Sequence, residues 1–134
     1  PLCRRAGVVM VRGLGIDVVN IARIKALSPG VRQRLFHPDE LAEAQSMDEQ
    51  AGCHYLAGRF AAKEALGKAL GCGLASLVPQ RVLVARAEGG APAFVLEQPA
   101  SGLVAGYDIL LSISHDDPVA VAVVVLSGGP DGPQ

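Results

Sequence analysis

Gly13-Leu14-Gly15-Ile16-Asp17-Val18-Val19 sets a lone acid in an apolar run, with Val8-Val9-Met10-Val11 just upstream. Residues 8–17 therefore read as a buried strand. Burying an unpaired carboxylate is costly, so Asp17 requires a partner: a lysine or arginine, a cap, or a metal ion. The stretch Arg59-Phe60-Ala61-Ala62-Lys63-Glu64-Ala65-Leu66-Gly67-Lys68-Ala69 supplies candidates. It lies in a helix predicted over 55–70, where Leu56, Phe60, Leu66 and Leu70 fall near helical spacing with alanines between. Gly71-Cys72-Gly73 ends that helix, as glycine commonly does.

Outward from these two segments, a short helix is expected over 20–27, with Asn20 as its N-cap and Ser28-Pro29-Gly30 as its end. Pro38-Asp39-Glu40-Leu41 opens another, since proline fits the first turn and acids complement the helix dipole. Residues 82–85 and 93–96 read as strands around Gly89-Gly90-Ala91-Pro92, a hairpin. Residues 99–105 form a short helix, and 109–114 and 119–126 are strands around His115-Asp116-Asp117-Pro118. Antiparallel pairs with helices grouped between them give an α+β fold rather than a doubly wound one.

The chain has 134 residues, half of them hydrophobic, which suits one domain over 8–126. Residues 1–7 read as an N-terminal extension or a cloning remnant. The glycine- and proline-rich 127–134 reads as a disordered tail. A net charge of −1 selects neither nucleic acid nor membrane. No apolar run approaches the roughly 18 residues of a membrane helix, and no secretory signal is visible. Three cysteines without a CxxC spacing fit reduced thiols in a cytoplasmic protein. Cys53-His54 is adjacent rather than ligand-spaced, which disfavours zinc.

Asp17 and Glu64, one on a strand end and one on a helix, can share Mg²⁺, which takes one or two carboxylates and leaves room for phosphate oxygens. Equally, Asp17 can form a buried salt bridge, and Glu64 can pair with Lys68 at i,i+4 on a solvated face. Lys68 can neutralise charge on a diphosphate leaving oxygen, and Arg59 and Lys63 can reach phosphate or simply face water. Ser112-Ile113-Ser114-His115-Asp116 suggests a hydrolase triad, but consecutive strand residues point to alternate faces and cannot converge. His115 suits phosphate binding or proton transfer, or merely caps the hairpin. Arg23, Lys25, Arg32 and Arg34 form a patch without an intervening acid, suited to an acidic partner or to a solvated helix face. No phosphate-binding glycine loop is present.

Three segments together make the chain resemble the holo-(acyl-carrier-protein) synthases, the short bacterial type of 4'-phosphopantetheinyl transferase. They are Gly13-Leu14-Gly15-Ile16-Asp17 with Arg23-Ile24, then Leu56-Ala57-Gly58-Arg59-Phe60-Ala61-Ala62-Lys63-Glu64-Ala65 through Lys68-Ala69, and Ser112-Ile113-Ser114-His115-Asp116. The resemblance covers about residues 10–126. It implies an antiparallel sheet packed against a long helix, a homotrimer, and Mg²⁺-dependent transfer of phosphopantetheine from coenzyme A to a serine of apo acyl carrier protein. Adenosine 3',5'-bisphosphate is the other product, and fatty-acid biosynthesis is the setting. By the resemblance, Asp17 and Glu64 hold Mg²⁺, and Glu64, Lys68 and His115 are catalytic. Arg59, Lys63 and His115 meet coenzyme A, and Arg23, Arg32 and Arg34 meet the carrier. Many relatives place a lysine or arginine in the hairpin turn where this chain has Ala91. The competing readings are a coenzyme A- or nucleotide-binding module without catalysis and a small Ser-His hydrolase.

Overall fold

A computed structural model describes residues 10–128. The extension at 1–7 lies outside the described residues, as does the expected tail from 129 onward. The chain runs β1 (Val11–Asn20), α1 (Ile21–Lys25), α2 (Pro29–Leu35), α3 (Pro38–Gln45), α4 (Glu49–Leu70), α5 (Leu74–Leu77), a 3₁₀ turn (Pro79–Arg81), β2 (Val82–Arg86), β3 (Pro92–Leu96), α6 (Ala100–Leu103), β4 (Tyr107–Asp116) and β5 (Val119–Gly128). β5 lies between β1 and β4 in an antiparallel sheet, and β2 and β3 form a separate hairpin. Ser127 and Gly128 belong to β5, so ordered structure runs past the boundary at 126 that the sequence suggests.

α4 is the axis of the molecule. Asp48 Oδ1 accepts from Ala51 N at 2.8 Å, which starts the helix at Glu49 rather than 55. The extra turns are polar and carry no apolar period for the sequence to show. Gly71 closes the helix at φ 74°, a left-handed conformation that costs glycine little. From Leu56 to Gly67 every residue except Glu64 is buried. A helix apolar on all sides belongs in the interior. The β1-β5-β4 sheet covers one side of it, and α1, α3 and β2 cover the other.

β1 lies against this helix because two of its inward residues have no side chain. A Cβ at Gly13 would overlap the Ala69 carbonyl oxygen, and one at Gly15 would overlap the Ala65 carbonyl oxygen. Strand backbone therefore rests directly on helix backbone. The intervening residues face the other way: Leu14, Ile16 and Val18 are 65%, 54% and 58% exposed. The expectation of a buried strand holds for one face only, because no element among the described residues covers the outer side of the sheet.

Asn20 caps α1, its Oδ1 accepting from Ala22 N at 3.0 Å. Ser28-Pro29-Gly30 does not simply end a helix; it starts α2. Ser28 Oγ accepts from Val31 N at 3.3 Å, and Pro29 occupies the first turn, where its missing N–H has no helical partner to lose. The core holds Phe36, Leu56, Leu66, Leu77, Val82, Val84, Val124 and Leu126, with alanines where helix and sheet approach most closely.

Candidate active site

Asp17 stands on the helix-facing side of β1, two residues beyond Gly15. Lys68 reaches it across the strand–helix crossing: Nζ donates to Asp17 Oδ1 at 3.0 Å and to the Ile16 carbonyl oxygen at 2.9 Å. The partner that the buried acid required is therefore Lys68. The lysine spans two elements instead of pairing with Glu64 along one helix. Asp17 keeps 14% side-chain exposure and Lys68 54%, so solvent reaches this pair.

Glu64 lies one turn before Lys68. Burial pushes its carboxyl above the ordinary range, and the neighbouring Asp17 charge adds to the rise. Lys68 and Arg23 oppose it. Two carboxylates and two cations thus act on one another at the crossing, and Arg23 of α1 belongs to the same field. The carboxylate pair fits a divalent ion, because a cation between them would offset the Asp17 repulsion that adds to the effect of burial on Glu64. No third His, Cys, Asp or Glu joins them in a metal-holding group among the described residues. Two carboxylates with the remaining positions open suit Mg²⁺ shared with a phosphate-bearing ligand.

A groove of about 460 Å³ runs beside the start of α4, lined by His54, Tyr55, Arg59, Arg86, Ile113 and His115 among others. The Arg59 guanidinium lies 4.1 Å from the Tyr55 ring centroid, and its buried Nε has no hydrogen-bond partner. A buried donor left unused costs free energy, which an anion entering the groove would recover. Burial raises the Tyr55 hydroxyl above its ordinary value, with the Arg59 charge opposing. His115 meets His54 of α4, their Nδ1 atoms 3.1 Å apart. The sequence offers no signal for His54 or Arg86. The two histidines are 61 residues apart and share no motif, and Arg86 ends an ordinary strand.

Lys63 is a correction. Its side chain is fully buried and cannot meet phosphate. Nζ donates to Glu40 Oε1 at 2.6 Å, to the Pro79 carbonyl oxygen at 2.9 Å and to the Leu35 carbonyl oxygen at 3.1 Å, which uses all three ammonium protons. Glu40 is equally buried and also accepts from His37 N at 3.0 Å and Val84 N at 2.8 Å. Burial lowers the Lys63 ammonium from its ordinary value, while the Glu40 carboxylate holds it up. This pair ties α2, α3, α4 and β2 together in the core.

The basic patch divides. Arg23 and Arg34 are exposed on α1 and α2. Arg32 turns inward, Nη2 donating to the Ile24 carbonyl oxygen at 3.0 Å, and so joins α2 to α1. It also borders a second groove of about 580 Å³ among α1 to α4, with Leu27, Leu41, Met47 and Leu56 on its walls. His115 has His54 as its partner across the fold rather than a neighbouring serine, which removes the basis of the hydrolase reading.

Asp17 and Glu64 thus lie with Lys68 and Arg23 at the crossing of β1 and α4, while Arg59 and His115 line a groove beside the start of that helix. The chain belongs to the 4'-phosphopantetheinyl transferase superfamily, whose family model matches residues 13–124. It is 36% identical over 126 residues to a holo-(acyl-carrier-protein) synthase of Treponema pallidum, covering 90% of this chain and 99% of the relative. The corresponding protein of Beutenbergia cavernae is 43% identical over 122 residues, covering 87% and 97%. Among solved structures, a holo-(acyl-carrier-protein) synthase from Bacillus anthracis in complex with coenzyme A (3',5'-ADP) superposes with a TM-score of 0.77. That pair is 30% identical, with coverage of 90% of this chain and 99% of the other. The Neisseria meningitidis enzyme gives a TM-score of 0.76 at 31% identity, covering 87% and 98%. The α+β architecture read from the sequence is thus the architecture of this family.

Proposed function

We propose that this protein transfers the 4'-phosphopantetheine arm of coenzyme A to a serine of apo acyl carrier protein. The observation that carries the reading is the crossing of β1 and α4, where Asp17, Glu64, Lys68 and Arg23 act on one another. Family membership and relatives named for this reaction support it.

Asp17 and Glu64 are the residues to hold Mg²⁺. When bound, that ion supplies positive charge against the diphosphate. The serine oxygen attacks the phosphorus that bears the pantetheine arm, and the bond to the bridging oxygen breaks. Adenosine 3',5'-bisphosphate leaves with the electron pair. Glu64, whose carboxyl burial pushes up, accepts the serine proton. Lys68 has the reach and exposure to exchange Asp17 for the leaving oxygen. Arg59, with its unused Nε, and His115 line the groove for the nucleotide end of coenzyme A. Arg23 and Arg34, exposed on neighbouring helices, draw in an acidic carrier. Arg32 contributes from its half-buried position.

The assay combines the protein, Mg²⁺, coenzyme A and apo carrier. The expected result is a carrier heavier by one phosphopantetheine. No mass gain, with a known transferase active in parallel, would overturn the reading. Coenzyme A binding without transfer would favour a binding module instead.

The active species is a homotrimer, supported by the uncovered sheet face. Leu14, Ile16, Val18 and Leu110 form an apolar surface that soluble monomers seldom leave open. Light scattering after gel filtration should give three chain masses; a monomer would refute it. No helix among the described residues is long and apolar enough to cross a membrane. The reaction is assigned to the cytoplasm and to fatty-acid biosynthesis.

A further inference from the structure

His54 of α4 and His115 at the end of β4 meet edge to face, with centroids 5.0 Å apart and planes at 75°. Their Nδ1 atoms are 3.1 Å apart. Two lone pairs repel at that distance, as do two N–H groups, so one proton lies between the nitrogens. The other nitrogen of His54, Nε2, faces Asp117 Oδ1 at 3.6 Å. The carboxylate favours a proton on that nitrogen, as an outer carboxylate commonly fixes an imidazole tautomer. His54 is 15% exposed, and it lies between two groups that solvent reaches, Asp117 at 70% and exposed His115.

We propose that His54 is a positioning residue that sets the tautomer of His115 and, by its own protonation, converts His115 Nε2 from a hydrogen-bond acceptor into a donor. Neutral His54 keeps its one N–H on Nε2, toward the Asp117 carboxylate. Its Nδ1 is then bare, His115 donates through Nδ1, and His115 Nε2 keeps a lone pair. When one proton is taken up at His115 Nε2, the bridging proton passes from His115 Nδ1 to His54 Nδ1. The positive charge comes to rest on His54 beside Asp117. His115 ends neutral, with its N–H now on Nε2, and the proton count balances.

The charged groups around the pair give Asp117 this role. Asp48 and Glu49 begin α4, Lys25 comes from α1, and Arg59 and Arg86 stand across the groove. Glu49 is held by Lys25 at 3.4 Å. Asp48 Oδ1 caps the helix. Asp117 is the carboxylate in ion-pair reach of the ring. What His115 Nε2 then meets rests on the coenzyme A reading: a donor binds phosphate and an acceptor does not. Coenzyme A should bind more tightly with His54 protonated.

Nitrogen-15 NMR of histidine-labelled protein tests the tautomer without any ligand. On titration from about pH 8 to about pH 5, His115 should change from the Nδ1–H to the Nε2–H form. In His54→Gln the amide oxygen still accepts from His115 Nδ1 but cannot take the bridging proton, so acid should leave the charge on exposed His115 as an imidazolium with both nitrogens protonated, not as a neutral Nε2–H ring. Asp117→Asn, on an exposed turn, should move the change to lower pH and serves if the glutamine variant fails to fold. An Nε2–H His115 at alkaline pH, or a titration that neither variant alters, would overturn the proposal. In parallel, the dissociation constant of coenzyme A is measured across the same titration. At the pH where only the wild-type His115 has changed form, wild type should have tightened about threefold to tenfold more than Asp117→Asn, the worth of one hydrogen bond to phosphate. An equal change in both also overturns it. The tautomer change in a protein that binds no coenzyme A would support the histidine pair while refuting the coenzyme A reading.

Discussion

Lys63 and Lys68 stand five positions apart on the same helix, and each holds a carboxylate from another element. Lys63 and Glu40 are sealed in the core, with every ammonium proton used. Lys68 and Asp17 meet at a surface that solvent reaches. The first pair cannot exchange partners without unfolding its surroundings. The second can release its carboxylate to a cation and its ammonium to a phosphate. Burial, rather than residue type or hydrogen-bond length, separates structural from chemical roles here.

The largest effect expected from breaking this contrast is at the buried pair. Lys63→Met strands the Glu40 carboxylate and should cost about 3–5 kcal/mol in denaturant unfolding. Adding Glu40→Leu should recover part of that loss, since a lone buried charge is worse than none. A loss below about 1 kcal/mol in the single variant would show that the core tolerates the charge. At the open pair the loss should appear in rate instead. Asp17→Asn should lower transfer by about 100-fold or more, or about 2.7 kcal/mol of barrier, with little change in melting. A near-normal rate would refute its metal role.

Lys68→Met should lower kcat by about tenfold to 100-fold. Its stability cost should stay well below that of Lys63→Met, because solvent reaches both members of this pair and neither member of the other. A stability loss as large as that of Lys63→Met would erase the distinction. The smallest effect belongs to the fully exposed pair of Lys25 and Glu49, 70% and 76% exposed. Lys25→Ala should leave the melting transition where it was, and a clear shift would mean that exposure is a poor guide to these pairs.

The sequence showed the chemical pair more readily than the structural one. Asp17, Glu64 and Lys68 sit in short contiguous runs where an acid among apolar residues stands out. Lys63 occupies the same run and reads as a phosphate ligand. Its fate is decided by Glu40, the Leu35 carbonyl and the Pro79 carbonyl, none of which a helical period places nearby. His54 reads in the sequence only as a disfavoured zinc ligand beside Cys53, for the same reason: its meaning comes from a strand far along the chain. α2 was missed on local grounds: Ser28-Pro29-Gly30 serves equally as an end and as a beginning, and the Ser28 hydroxyl decides which.

The bare contact of Gly13 and Gly15 with the α4 backbone has a consequence for anyone reshaping this protein. The gap between Asp17 and Glu64 is fixed by two main chains in touch, with no layer of side chains to swell or settle between them. A library that randomised Leu66, Val124 or Leu126 could shift the interior while keeping the two acids in register. The same library opened at Gly15 would change the gauge itself, and with it the size of the ion the acids can grip.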